Sequence, residues 1–414
     1  MYNNNIQGVI MNENAVSLSE LTIKGFKCIP PWNETQRCII DGKELLPSEI
    51  YNFKDLGNFI VITGENASGK STLAQALFLL FGLATIFPEE PSEKEKDEVR
   101  SVIVSLVSKY MGLNSLNDLQ YIFHNVKYND LGMEADEIKI KAVLSYGSNE
   151  YKYSLSLAKE SFTPSFYVES SAPLILDVIV FAPIYPGENR HSGIFSARGI
   201  NEINFRIVGD KEHPSYDVVY SYRLHNVMVK DKKLGFRRLL PIEFAPLGYY
   251  VTSRLKIVER IQKLILEEAV KEHLTIFIYE EPEIGLHPLL QKNLAEKLLK
   301  NTGENIITIL LTQSDHLLNT IIDVLKTDNE VSSRVKVSFI DVCQKEIMLK
   351  KVVTEESGKT RQATISCIYQ KFYVDPKNPE VLIPVKNNEP RSEFKESTNL
   401  CGIHSFIKAL LEST

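Results

Sequence analysis

Short apolar runs alternate with longer amphipathic stretches along this chain. The runs at 59–62 (FIVI), 274–279 (LTIFIY) and 306–311 (IITILL) are too short for helices and lack polar alternation, so they predict strands buried on both faces. Helical patterns follow the first two, over 71–82 and 289–300. A longer helix is expected over about 252–272, where Leu255, Val258, Ile261, Leu264 and Ile265 share a face and Thr252 or Ser253 can serve as N-cap. Residues 18–26 instead alternate, Leu21 and Ile23 against Thr22 and Lys24, as a strand does. The stretch 101–123 reads as helix, with Val102, Val104, Leu106, Val107, Tyr110 and Met111 at helical intervals. From 137 to 185 the pattern is strand-like (IKIKAVLSY, YKYSLSL, ILDVIVFAP), and 335–341 and 347–353 predict two closing strands. Residues 375–397 read as loop and 402–412 as a short last helix. The sum is an α/β chain with a mostly parallel sheet, an antiparallel β lobe and a helical insertion, its ligand expected at the carboxyl ends of the strands.

Composition narrows the class. The chain has 414 residues, 43% hydrophobic and 24% charged, as in soluble globular proteins. The apolar stretch 73–87 is too short and too interrupted to span a bilayer, so no membrane role is expected. The five cysteines are scattered and form no C-x-x-C pair. With no basic-then-apolar leader pattern at the start, a reduced, cytoplasmic compartment is expected. A net charge of −6 does not advertise nucleic-acid binding. A local basic stretch (Lys230, Lys232, Lys233, Arg237, Arg238) reads either as a solvated hairpin or as a salt-sensitive DNA contact.

The chemistry begins at 61–72, VITGENASGKST. It fits G-x-x-x-x-G-K-[ST], the loop whose backbone N–H groups cradle phosphates. The cradle comprises Gly64, Glu65, Asn66, Ala67, Ser68, Gly69, Lys70, Ser71 and Thr72. Lys70 is expected to reach the β- and γ-phosphates, and Ser71 to offer its hydroxyl to Mg²⁺. The strand before and the helix after supply the context this motif requires.

A second constellation follows the apolar strand at 274–279: Glu280-Glu281-Pro282-Glu283. An acid at the end of a buried strand can hold Mg²⁺ from the side opposite the loop, and Glu280 takes that role. Glu281 is assigned as general base toward the attacking water. Gln313, after the next buried strand, reads as a γ-phosphate sensor or as a plain strand cap. No Asn-Lys-x-Asp guanine motif is present, so the expected nucleotide is ATP. Phe26 and Lys27 are candidates to stack its base.

Taken together, LTIKGFK at 21–27, GENASGKST and EEPEIGLHP at 280–288 resemble the ABC-type ATPases that act on DNA, the SMC, RecF and OLD group. The resemblance implies a P-loop NTPase with an ABC-ATPase-like head. Glu280 falls on the Walker B acid, Glu281 on the catalytic glutamate, Gly285, Leu286 and His287 in the D-loop, and Gln313 on the switch histidine. It also implies a homodimer sandwiching ATP and a role in DNA repair, chromosome handling or defence against mobile elements. The segments expected are 16–90 and 246–355 for the two parts of the ATPase domain, 91–245 for an inserted lobe and 356–414 for closing elements. The chain departs from the pattern at Gln313 and in the signature segment 245–255 (APLGYYVTSRL), which reads either as a helix N-cap or as N–H donors to a partner's nucleotide. No Asp-x-Asp follows residue 320, so the Toprim nuclease of OLD proteins is not expected.

Two functional readings follow. One is an Mg²⁺-dependent ATPase. The other is a nucleotide-gated module with little turnover that controls a separate effector protein such as a nuclease or toxin, favoured by Gln313; DNA or that effector is the candidate partner. A small-molecule kinase using Arg190, Arg198 and Arg206 is a third, disfavoured by EEPEIGLHP.

Overall fold

A computed structural model describes residues 16–32, 36–40, 43–64, 68–111, 113, 116–128, 131–170, 174–181, 194–197, 216–221, 226–231, 240–241, 273–303, 305–351, 360–374, 382–386 and 389–390. The fold is mixed α/β. Its centre is a run of parallel strands in the order Ile175–Phe181, His273–Glu280, Ile306–Leu311, Phe59–Gly64, Val337–Lys351. We call Phe59–Gly64 the loop strand, His273–Glu280 the acid strand and Ile306–Leu311 the middle strand. Every residue of the loop and middle strands is buried. That is the condition under which a strand reads as a continuous apolar run.

The loop helix, Lys70–Ile86, explains the longest apolar stretch of the chain. It is buried almost all round, as expected of a helix that is hydrophobic on every face. Beyond it lies an antiparallel sheet in the order Pro164–Ser170, Asn149–Ala158, Glu137–Tyr146, Ser17–Lys24, Asn52–Gly57. Burial alternates along Glu137–Tyr146 and Asn149–Ala158, so this sheet packs one face and wets the other. Phe81 of the loop helix meets Tyr153 of this sheet edge-on, with ring centroids 5.8 Å apart. The helix is thus packed between the parallel and antiparallel layers.

Several expectations change. The helix expected over 101–123 is two elements: Lys96–Met111, then a 3₁₀ turn, Leu116–Ile122. It starts inside the charged stretch 88–100 (PEEPSEKEKDEVR), whose composition reads as a surface linker or the start of an insertion; there the Ser92 N–H donates to Glu95 Oε2 at 2.7 Å and Asp97 and Glu98 occupy the first turn. Those acids complement the helix dipole, so the charge run is a helix start rather than only a linker. The two closing strands expected at 335–341 and 347–353 are one, Val337–Lys351, paired along its length with Thr360–Val374. A register shift between Cys343 and Lys345 absorbs the break in the apolar pattern. Within the expected loop 375–397, Leu382–Lys386 and Glu389–Pro390 are strands. The helix expected over 252–272 and the one over 402–412 lie outside the described residues. No helix among the described residues is long and apolar enough to cross a membrane.

Candidate functional site

The register of the parallel strands brings the motif ends to one level. Glu280 pairs with Leu311, Leu311 with Ile62, and Thr63 with Asp341. The phosphate loop therefore leaves the sheet beside Thr312 and Gln313, with the two acids one strand further on. This is the carboxyl edge of the sheet, where open α/β folds bind ligands.

Two glycines make the loop possible. Gly64 has φ of 139°, and a Cβ there would lie 2.2 Å from the Val342 carbonyl oxygen. Gly69, at φ of 107°, is the N-cap of the loop helix. Having no side chain, it cannot cap that helix, and no acid occupies the first turn. The helix N-terminus is thus electrostatically prepared for an anion. Ser68 Oγ is buried with no hydrogen-bond partner among the described residues, a group that a ligand oxygen would satisfy. Thr72 is buried, and its Oγ1 lies 3.3 Å from the Cys28 thiol, which donates to it. Glu65, Asn66 and Ala67 lie outside the described residues.

Lys70 is only 6% exposed, and its Nζ donates to the Gly64 carbonyl oxygen at 2.8 Å. Burial pushes its pKa down, while Glu281, Glu283, Asp341 and Glu280 pull it up. Four carboxyl groups thus surround one ammonium. An anionic nucleotide is repelled by that surplus unless a cation accompanies it or acids are neutralised.

Glu280 keeps one edge toward solvent but is packed on its other sides, and this burial pushes its pKa up. The Ser71 hydroxyl faces its carboxyl and counters that shift. The two oxygen groups assigned to Mg²⁺ are therefore close neighbours. Hard oxygen donors from a hydroxyl and one carboxylate, completed by nucleotide phosphates and water, suit Mg²⁺. The hydroxyl of Tyr110, from helix Lys96–Met111, also faces the Glu280 carboxyl, with looser alignment. Its ring packs edge-on against Phe78 of the loop helix at 5.1 Å. Tyr110 had read only as a core position of a helix, and nothing in the pattern marks it as a neighbour of the site.

Glu281 breaks the strand. Its φ is 42°, an unusual conformation for a residue with a side chain, and its N–H donates to the Leu311 carbonyl at 2.9 Å. Such outliers concentrate at functional sites. The Gln313 Nε2 donates to Glu281 Oε1 at 2.7 Å. Glu281 and Gln313, expected separately from the sequence as base and as sensor or strand cap, are in direct contact.

Glu283, to which the motif pattern assigns no role, lies against Thr312 and Gln313. Its pKa is raised by burial, against the hydrogen bonds it accepts from Thr312 and Gln313. The folded chain therefore holds this proton more tightly than the unfolded chain. The associated stability is complete below a pH of about 4.5 and is lost as pH rises through the raised value. Glu283→Gln removes this penalty. Its thermal midpoint, relative to wild type, is expected to climb as pH rises above about 4.5. Differential scanning fluorimetry across that range checks this, and a pH-independent gap would contradict it.

Phe26 is fully buried and bridges Phe123, so it is core and not a platform for a base. The Lys27 ammonium turns toward Gln75 and the Glu280 side of the site. Burial pushes its pKa down. The segment 245–255, residues 232–239 of the basic stretch, and Arg190, Arg198 and Arg206 lie outside the described residues; Lys230 falls in strand Asn226–Asp231.

No protein-family model matches the chain, and no curated protein matches it. Among solved structures, a SmcHead bound to the C-winged helix domain of ScpA is similar at 12% identity and a TM-score of 0.43, over 84% of this chain and 97% of that one. The SMC head domain from Thermotoga maritima is similar at 12% identity and a TM-score of 0.37, over 84% of this chain and 99% of that one. At these scores the likeness is faint, and the site is read from its own geometry.

Proposed function

We propose that this chain is an Mg²⁺-dependent ATPase of the ABC type, akin to the SMC, RecF and OLD group, and that it works as a homodimer. One observation carries the reading. The buried Lys70, the Ser71–Glu280 pair and the Gln313–Glu281 pair meet at the carboxyl edge of neighbouring parallel strands. A phosphate grip, a metal-binding acid and a base with its own orienting partner are what transfer of a phosphoryl group to water requires.

Each side chain then has a task. Lys70 leaves the Gly64 carbonyl for the phosphates and stabilises negative charge there. Ser71 and Glu280 would hold Mg²⁺, which when bound would neutralise negative charge on the phosphates. Glu281 orients the attacking water and accepts its proton. The Gln313 amide has two N–H bonds, so it can keep Glu281 with one and donate to a phosphate with the other. By resemblance, the work driven by this cycle lies in DNA repair, chromosome handling or defence.

A second reading is a nucleotide-gated module with slow turnover. The bond between Gln313 and Glu281 favours it, because it occupies the base. A neutral amide also stabilises developing charge less than a protonated histidine would.

The turn after the acids supports self-association. Ile284, Leu289 and Leu290 are 40%, 63% and 41% exposed. They lie beside the site, where a second copy would cover them. With MgATP, the wild type is expected to sediment as a dimer. Leu289→Glu should raise the dimer dissociation constant about tenfold or more with ATP affinity per chain unchanged. Identical sedimentation of the two proteins with MgATP would count against a dimer built on this face.

A further inference from the structure

The turn 281–287 and the end of the middle strand are stitched together through one carboxyl group. Glu283 follows Pro282 in a surface turn, yet it is only 8% exposed. Its Oε1 accepts from the Thr312 hydroxyl and from the Gln313 N–H at 3.0 Å. Thr312 Oγ1 in turn accepts the Ser314 N–H at 2.9 Å. Thr312 and Gln313 are therefore bound to a single oxygen of Glu283, and Ser314 joins them through Thr312.

The stitch closes on the chemistry. Gln313, fixed at its backbone by Glu283, reaches Glu281 with its side chain at 2.7 Å. Glu281 is fixed at its own N–H by the Leu311 carbonyl. A ring of hydrogen bonds thus runs from Glu281 to Glu283 through the turn, across to Thr312 and Gln313, and back to Glu281. Gln291 adds a tie between the same two segments: its Nε2 donates to the Leu286 carbonyl at 2.9 Å, and its Oε1 accepts from Ser314 Oγ at 2.5 Å.

We propose that Glu283 is a positioning residue, which sets the place of Gln313 and, through it, of Glu281 against the phosphate loop. This rests on the reading of Glu281 as proton acceptor given above. Glu283 is poorly placed to be that acceptor itself, because one oxygen is taken by two donors and the other is buried, with no partner among the described residues. What the ring needs from residue 283 is an oxygen that accepts twice. A glutamine carbonyl can do that, and alanine cannot.

The test compares Glu283→Ala, Glu283→Gln and Thr312→Val with wild type. It measures ATP affinity by titration of a fluorescent ATP analogue, and kcat and KM by phosphate release. Glu283→Ala is expected to lower kcat by about a hundredfold, the scale of an ångström-sized misplacement, with ATP affinity not weakened. Glu283→Gln should recover kcat to within about threefold, since it keeps the acceptor. Thr312→Val, which removes one of the two donors, should fall between them, and it decides the matter if the alanine variant does not fold. Equal losses in Glu283→Gln and Glu283→Ala would overturn the inference by showing that the charge, not the position, matters. Full kcat in Glu283→Ala, or in Thr312→Val where the alanine variant does not fold, would overturn it too. Absence of phosphate release by the wild type itself would instead remove the ATPase reading, and this inference with it.

Discussion

Glu281→Gln is expected to slow ATP turnover by about 10²- to 10⁴-fold while leaving ATP binding intact. The substitution keeps the shape and the oxygen that accepts from Gln313 at 2.7 Å. It removes only the ability to take a proton from water. Its backbone, at φ of 42°, asks the same of Gln as of Glu, so the fold is unaffected. With ATP bound and unhydrolysed, the dimer should accumulate. Single-turnover hydrolysis alongside mass measurement checks both parts. Turnover within about threefold of wild type would show that water is activated elsewhere, and a base is worth far more than that.

Lys70→Ala should weaken ATP binding by about 2–5 kcal/mol, roughly 30- to 5,000-fold. The size follows from the surroundings. Lys70 is the ammonium at the centre of Glu280, Glu281, Glu283 and Asp341. Without it, those acids face the nucleotide with less positive charge to offset them. The hydrogen bond to the Gly64 carbonyl is lost with it. Titration calorimetry with MgATP measures the effect. Unchanged affinity would mean that the phosphates bind elsewhere.

The carboxyl edge of the sheet was readable in the sequence because its strands are buried on both faces. The runs at 59–62, 274–279 and 306–311 correspond to Phe59–Gly64, His273–Glu280 and Ile306–Leu311. Residues at the ends of such strands inherit a known location, so Lys70, Glu280, Glu281 and Gln313 could be brought together without coordinates. Long-range partners were not legible. Tyr110 reaches Glu280 from a helix 170 positions earlier in the chain, and a helical period reports only which face is buried. Glu283 reads as one more acid in a turn until the middle strand shows what it binds. The helix Asp315–Thr327 was overlooked although its signal is present: Ser314 caps it by accepting from the Leu317 N–H, and Leu317, Leu318, Ile321 and Ile322 form its buried face. The long strand Val337–Lys351 was split in two because a period-two pattern cannot see through a bulge.

The most direct test of the central claim is steady phosphate release by purified wild-type protein with ATP, with Mg²⁺ and with EDTA, over a range of protein concentrations. The account predicts release that saturates with ATP, vanishes with EDTA and rises more than linearly with protein concentration as dimers form. ATP binding without metal-dependent release at any protein concentration would contradict it and would leave a nucleotide-gated module in its place.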